Sequence, residues 1–276
     1  MIRNWKKKMC LTARLLLVAL AFAGVATPAN ADLVFGAPPR EDYAKAMETY
    51  EPIARLLSKI LDEKVVYRYA QNWLTYQSEM RKGLYDIVLD GPHFNGWRMA
   101  KLGHVPLVKL SGDLSFVVVV RNGTDPPDLK QLAGRPICAH APPNLATLAT
   151  LQQFPNAARQ PVVLETQGFP AGYKGVVDGR CVGTVLPTKV YEALDKDAHA
   201  TKVIFHSRSF PNQALSVGPK VKPHSYNKLI QALLSEEGKR ATSKLREEFK
   251  GDLVRATRQE YEGLGALLQD TWGFQL

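Results

Sequence analysis

Residues 84–98 read LYDIVLDGPHFNGWR. An apolar strand, Ile87-Val88-Leu89, is framed by Asp86 and Asp90. The chain then turns at Gly91-Pro92 and offers His93, Phe94, Asn95 and Trp97. A strand that ends in a proline-fixed turn before a helical pattern is one link of a strand–helix series. In open parallel sheets the crevice outside the carboxyl ends of the strands is where ligands sit. His93 and Phe94 are placed to face such a crevice, and Trp97 to pack into the core beneath it. The flanking Asp86 and Asp90 read as solvated or capping carboxylates.

The same alternation runs outward in both directions. LVFGA (33–37) and KVVYRYA (64–70) read as strands. Between them Tyr43 to Leu61 reads as a helix with Tyr50, Ile53, Leu57 and Ile60 on one face, and Pro52 is read as lying near a helix start. Asn72 to Lys82 reads as a short helix stopped by Gly83, and a further helix is expected near 95–101. SFVVVVR (115–121) is extended, and GTDPPD (123–128) is a break. RPICAH (135–140), PVVLET (161–166), CVGTVLP (181–187) and KVIFHS (202–207) make a second strand series, SFPNQALSVG (209–218) is extended, and residues 227–276 are largely helical. Strands alternating with helices give an α/β fold with mostly parallel sheets flanked by helices. Two series joined by two extended crossings give two lobes.

The start of the chain reads differently. Arg3, Lys6, Lys7, Lys8 and Arg14 precede an apolar run, LLLVALAFAGV (15–25), and a small-residue site at Ala29-Asn30-Ala31. That order is a secretory signal peptide over residues 1–31. An apolar run of about 11 residues is too short to span a bilayer as a helix. The expected product is exported and soluble. Removing five basic residues lowers the formal charge from +10 to +5. With no dense Lys/Arg run interleaved with aromatics, nucleic acid is not an expected partner. Cys138 and Cys181 remain after cleavage. An even pair in an exported chain points to a disulfide, the alternative being two separate buried thiols.

The residues that follow the strands are neutral polar groups and aromatics. Tyr43 follows the first strand, Trp73 and Tyr76 the second, His93 and Phe94 the third. In the second series His140, Asn144 and Thr147, then Thr188, then Ser209 occupy corresponding places. These ten are the expected ligand contacts. His93, His140 and His206 all fall at or just after strand ends, which leaves open a metal-binding version, although no pair has H-x-x-H spacing. Cys138 and His140 share one strand face and do not read as a nucleophile and its base. No G-x-S-x-G, P-loop or paired-carboxylate pattern occurs at a strand end, so no enzyme and no cofactor are expected.

Six stretches in order, YEPIARLLSKILDEKVVY (50–67), GLYDIVLDGPHF (83–94), SFVVVVRNG (115–123), DLKQLAGRPIC (128–138), VVDGRCVGTVLPTKVYEAL (176–194) and SFPNQALSVGPKV (209–221), give a resemblance. The chain resembles the periplasmic substrate-binding proteins of ABC transporters, in particular the phosphate/phosphite/phosphonate-binding family. The resemblance implies a two-lobed Venus-flytrap fold. Lobe one would hold 32–117 and 212–276, lobe two 118–211, with crossings at 117–121 and 210–215. It implies capture of a small polar or anionic, phosphonate-like solute by a monomer that serves an inner-membrane permease. The chain departs from the family at HAPPNLAT (140–147), where prolines replace the usual Ser/Thr-rich helix start, and at Pro187, where an acidic residue is common. A periplasmic sensor or accessory protein on the same fold is the alternative function.

Overall fold

The computed structural model describes residues 31–124, 128–271 and 273–274. The signal peptide expected at 1–31 therefore lies outside the described residues, apart from Ala31. Strand β1 (Leu33–Gly36), helix α1 (Tyr43–Leu61), β2 (Val65–Arg68), α2 (Trp73–Arg81) and β3 (Ile87–Asp90) form two successive strand–helix–strand units. Accordingly β2 and β3 pair in parallel on either side of β1. The Asp42 side chain caps α1 by accepting from the Lys45 amide, and Asp62 ends it in the left-handed region. Its buried face carries Ala46, Tyr50, Ile53, Ala54 and Leu57. Pro52 lies inside α1 rather than near its start. The apolar face on both sides of it holds the helix together through the proline.

Helix α3 (Pro92–Leu102) starts three residues earlier than the expected Asn95, because Pro92 takes the first helical position, where no N–H is needed. It is followed by β4 (Val105–Leu110), a strand absent from the sequence reading because Pro106 interrupts its pattern. The first sheet has the order β13-β4-β12-β3-β1-β2, with β12 (Ala214–Val217) and β13 (Leu253–Arg255) antiparallel to their neighbours. The second sheet has the order β10-β6-β9-β7-β8. Here β7 (Pro136–Ala139) is parallel to β8 (Val162–Glu165) and β9 (Gly183–Pro187). β6 (Phe116–Arg121) runs antiparallel between β9 and β10 (Thr201–His206). Both sheets are thus mixed: the strands that enter from the other lobe run against the parallel set.

Between the sheets, β5 (Asp113–Leu114) and β11 (Phe210–Pro211) pair antiparallel and form a two-stranded ribbon. The first crossing is therefore at 113–114. Residues 117–121, expected to cross, are an interior strand, since four consecutive valines are buried on both faces. The second lobe carries α4 (Leu145–Leu151), α5 (Phe169–Val177) and α6 (Thr188–Asp195). The carboxyl-terminal part adds α7 (Tyr226–Leu234), α8 (Glu236–Ala241), α9 (Ser243–Phe249), α10 (Arg258–Tyr261) and a 3-10 turn at Leu264–Leu268.

Cys138 in β7 and Cys181 before β9 are disulfide-bonded, with Cα atoms 5.7 Å apart. Helix α5 lies directly on this bridge. A Cβ at Gly175 would sit 2.6 Å from Cys138 Sγ, so the close approach requires glycine. One apolar core fills the outer part of lobe one, around Phe35, Ile53, Leu57, Tyr67, Ile87 and Leu215. A second runs from Tyr76 and Phe94 through Phe116 and Phe210 at the ribbon to Leu145 and Val185 in lobe two.

Candidate functional site

The parallel strands of the two sheets end on edges that face each other. β1, β2 and β3 end at Gly36, Arg68 and Asp90, and β7, β8 and β9 at Ala139, Glu165 and Pro187. The edges touch where α3 meets the turn after β7: His93 Nε2–H donates to the Pro143 carbonyl, 3.0 Å away. A carbonyl only accepts, so His93 carries its proton on Nε2. Pro143 belongs to the cis Pro142–Pro143 pair. His93 is 5% exposed. Burial pushes its pKa down to about 4, against a smaller upward pull from Asp90. The imidazole at this edge is neutral at physiological pH, and its buried Nδ1 has no partner among the described residues.

Beneath His93 lies a charged network that the sequence reading did not contain. Asp90 and Arg98 are both fully buried and joined at 2.9 Å. The Tyr76 hydroxyl donates to Asp90 Oδ2 and accepts from Arg98 Nη2 at 2.8 Å. Asp90 Oδ1 accepts from the Gly91 amide at 2.7 Å. Asp90 is thus not solvated, as its position beside a turn suggested. α3 folds back over the strand end and delivers Arg98 two turns later on its inner side. Asp86 is also buried: it accepts from the Val34 amide at 2.9 Å and pairs with Lys220 at 3.0 Å. Asn95 Nδ2 donates to the Asp90 carbonyl at 2.7 Å and the Ala214 carbonyl at 3.2 Å, tying α3 to β12. Trp97 packs in the core as expected and donates from Nε1 to the Phe274 carbonyl.

The ten expected contacts divide by accessibility. Tyr43 is 60% exposed and Trp73 41%, each set edge-on against a neighbouring ring, Tyr69 and Tyr76 respectively. His140 is half-buried with its ring edge-on to Phe169. Ser209 is exposed and donates to Asp113 at 3.2 Å. Thr188 shares a 2.8 Å hydrogen bond with Ser115. By contrast Tyr76 is wholly buried with its hydroxyl engaged, and Phe94 packs between His93 and Phe274. Thr147 is buried and donates to the His140 carbonyl at 2.6 Å. Asn144 caps α4 by accepting from the Ala146 amide at 3.0 Å. Tyr76, Phe94 and Thr147 shape the edges from within, whereas Asn144 is half-buried at the start of α4.

The three histidines are not gathered. His93 is inside α3, His140 lies against Phe169, and His206 is exposed at the end of β10. Among the described residues no group of His, Cys, Asp or Glu is arranged to hold a metal ion. Asp90 and Arg98 were missed for a plain reason. A single Asp at a strand end and an Arg eight residues later carry no spacing signal of their own.

The sequence profile of one family, described as ABC transporter, phosphonate, periplasmic substrate-binding protein, matches residues 35–261. No curated protein sequence matches the chain. Among solved structures it is similar to XAC2383 from Xanthomonas citri bound to ATP, with 15% identity, TM-score 0.68, and 86% of this chain and 96% of that one covered. It is also similar to PhnD1 from Prochlorococcus marinus in complex with methylphosphonate, with 14% identity, TM-score 0.63, and 86% and 97% covered. A binding component of an ABC phosphonate transporter from Pseudomonas aeruginosa shares 14% identity at TM-score 0.57, with 83% and 82% covered. These structural likenesses carry the two-lobed fold. No helix among the described residues is long and apolar enough to cross a membrane. With a profile that spans most of its length, the chain belongs to the phosphonate family of periplasmic substrate-binding proteins of ABC transporters.

Proposed function

We propose that this chain captures a small oxyanion-bearing solute of the phosphonate class between its lobes and hands it to an inner-membrane permease. The observation that carries the reading is the hydrogen bond from His93 to Pro143 across the two edges. A solute entering there exchanges one neutral acceptor, the Pro143 carbonyl, for a phosphoryl oxygen at the same Nε2–H. Tyr43, Trp73, His140, Asn144, Thr188 and Ser209 would complete the contacts, and Tyr76, Phe94 and Thr147 would support them from beneath. The lobes would divide at the β5–β11 ribbon, which acts as the hinge of closure. Export through a signal peptide cleaved after Ala31 and action as a monomer belong to the same reading.

The exposed rings of Tyr43 and Trp73 favour a second solute form, a phosphate ester bearing a planar group that stacks on them. Calorimetric titration of the mature chain with methylphosphonate, phosphate and ATP separates the two. Binding of methylphosphonate, weakened at least tenfold by His93→Ala, supports the first form. Binding of ATP alone, weakened by Trp73→Ala, supports the second. No binding of any of the three, with the fold intact by circular dichroism, overturns the oxyanion reading.

A further inference from the structure

Helix α4 of lobe two reads LATLATL and has no solvent face: residues 145–150 are all buried. Its two threonines turn back on the backbone. Thr147 donates to the His140 carbonyl at 2.6 Å, and Thr150 to the Ala146 carbonyl at 3.0 Å. A helix that is apolar all round must be covered on every side. Strand β9 of the same lobe covers one side. Another cover comes from the far end of the chain, where the 3-10 turn Leu264–Leu268 packs against α4. The leucines and alanines of the two segments belong to one continuous buried cluster. α4 begins beside Pro143, the residue that His93 holds across the edges, so this seam continues that contact.

The turn itself is anchored to lobe one at three points. Gly265 lies on α3: a Cβ there would sit 2.8 Å from the Trp97 backbone, and a Cβ at Gly96 would sit 2.6 Å from the Gly265 nitrogen. Just before the turn, the Tyr261 hydroxyl donates to the Asn212 carbonyl at 2.6 Å, beside the second crossing. Just after it, Phe274 is wholly buried, its ring 5.4 Å from that of Trp97 and 5.8 Å from that of Phe94. The Phe274 carbonyl accepts from Trp97 Nε1 at 3.1 Å. Residues three apart share a face of a 3-10 turn. Gly265 faces α3, so Leu268 does too, while Leu264 and Leu267 form a separate apolar face, 5% and 4% exposed.

We propose that the Leu264–Leu267 face and α4 form a clasp that keeps the two lobes together in the resting chain. Swinging the lobes apart about the β5–β11 ribbon bares both sides of the seam, and baring apolar surface is unfavourable in proportion to its area. The polar edge groups Thr188 and Ser209 carry no comparable penalty, since water replaces the partners they lose. The closed arrangement is therefore the major population at rest, and the open one a minor state from which solute is taken up. A solute entering between the lobes must part the clasp as well as the bond from His93 to Pro143. The inference goes beyond the solute-binding reading and needs no solute.

Small-angle scattering of the mature chain alone is the test. A compact chain of its length has a radius of gyration of roughly 18 Å, and the solute-free curve should fit the closed arrangement. The double variant Leu264→Ala, Leu267→Ala, which empties the clasp, should raise the radius of gyration. Leu57→Ala removes an equally buried side chain from the outer core of lobe one and should leave it unchanged. A parent curve that fits only separated lobes overturns the clasp. So does a double variant, folded by circular dichroism, that scatters as the parent does. Should the double variant fail to fold, the parent curve decides by itself, closed in support and open against. Because no solute is added, a chain that binds neither methylphosphonate nor ATP sinks the oxyanion reading and leaves this test standing.

Discussion

Asp90 of lobe one and Asp195 of lobe two are both buried at a junction between helix and strand, and each is held differently. In lobe one Asp90 faces a cation, Arg98, with both side chains inaccessible. In lobe two Asp195 is 6% exposed and is held, among the described residues, without an ion pair. Neutral donors hold it: the Tyr173 hydroxyl, the Ala200 amide at 2.9 Å and the Tyr191 hydroxyl at 3.2 Å. The difference follows what the helices deliver: α3 carries Arg98 back over Asp90, whereas α5 and α6 bring the Tyr173 and Tyr191 hydroxyls to Asp195. Lobe two also holds the disulfide.

The sharpest way to break this comparison is to remove the cation. Arg98→Met strands Asp90 in the core of lobe one with only Tyr76 and the Gly91 amide as donors. Truncating one partner of a buried pair costs about 3–5 kcal/mol. Urea unfolding should show that loss. Tyr191→Phe, which removes one of three neutral donors from Asp195, should cost about 1 kcal/mol. Equal losses at the two sites would mean that Asp90 is hydrated after all.

Next in size is the staple. The Cys138–Cys181 bridge closes a separation of 43 residues. Its removal as the double alanine variant should cost about 2–4 kcal/mol. Because both cysteines belong to lobe two, hydrogen exchange should rise in β7, β8 and β9 and stay unchanged in β1 and β3. Uniform exchange in both lobes would show that the lobes unfold as one unit.

What was legible in the sequence follows the same division. The strand–helix alternation at the start of lobe one is carried by long periodic segments, and the bounds read for its first helix, 43–61, are those the structure shows. The paired cysteines were readable because export restricts what two thiols do. β4, β5 and β13 were not readable, being short, proline-interrupted or formed only by pairing across long separations. The candidate edges were legible as positions, since residues after parallel strands share an edge. Their roles were not. Tyr76 and Phe94 stand where a contact residue would stand, but their orientation depends on Arg98 and Phe274, which arrive from elsewhere in the chain.

A third prediction concerns acid. His93 is held down to about 4, and His104, buried behind α3, to about 3, both chiefly by burial. A histidine whose folded pKa is depressed binds fewer protons than its unfolded form below pH 6.5. Stability therefore falls as pH drops from about 6.5 toward 4. For His93 the full loss is on the order of 3 kcal/mol. His93→Gln keeps a neutral donor for Pro143 and does not titrate, so the melting temperatures of variant and parent should converge near pH 7 and separate below pH 6. Parallel curves would place the acid sensitivity at His104 or elsewhere.

The smallest effect gives the cleanest contrast between the edges. Asn72 and Asn144 do the same structural work: each caps the helix after a parallel strand, Asn72 accepting from the Thr75 amide at 2.8 Å and Asn144 from the Ala146 amide at 3.0 Å. Replacing either by alanine should cost about 1 kcal/mol of stability. Only Asn144 follows the Pro142–Pro143 turn that His93 touches, and only Asn144 is proposed to meet the solute. Stability losses should therefore match while affinities diverge. For whichever of methylphosphonate or ATP binds the parent, Asn144→Ala should weaken binding about tenfold, the equivalent of one lost hydrogen bond, and Asn72→Ala should leave it within a factor of two. If both variants bind as the parent does, Asn144 is a cap and nothing more, and the solute lies nearer Thr188 and Ser209. If Asn72→Ala is the weaker binder, the contact belongs to the lobe-one loop that carries Trp73, and the division of labour between the edges is the reverse of the one drawn here.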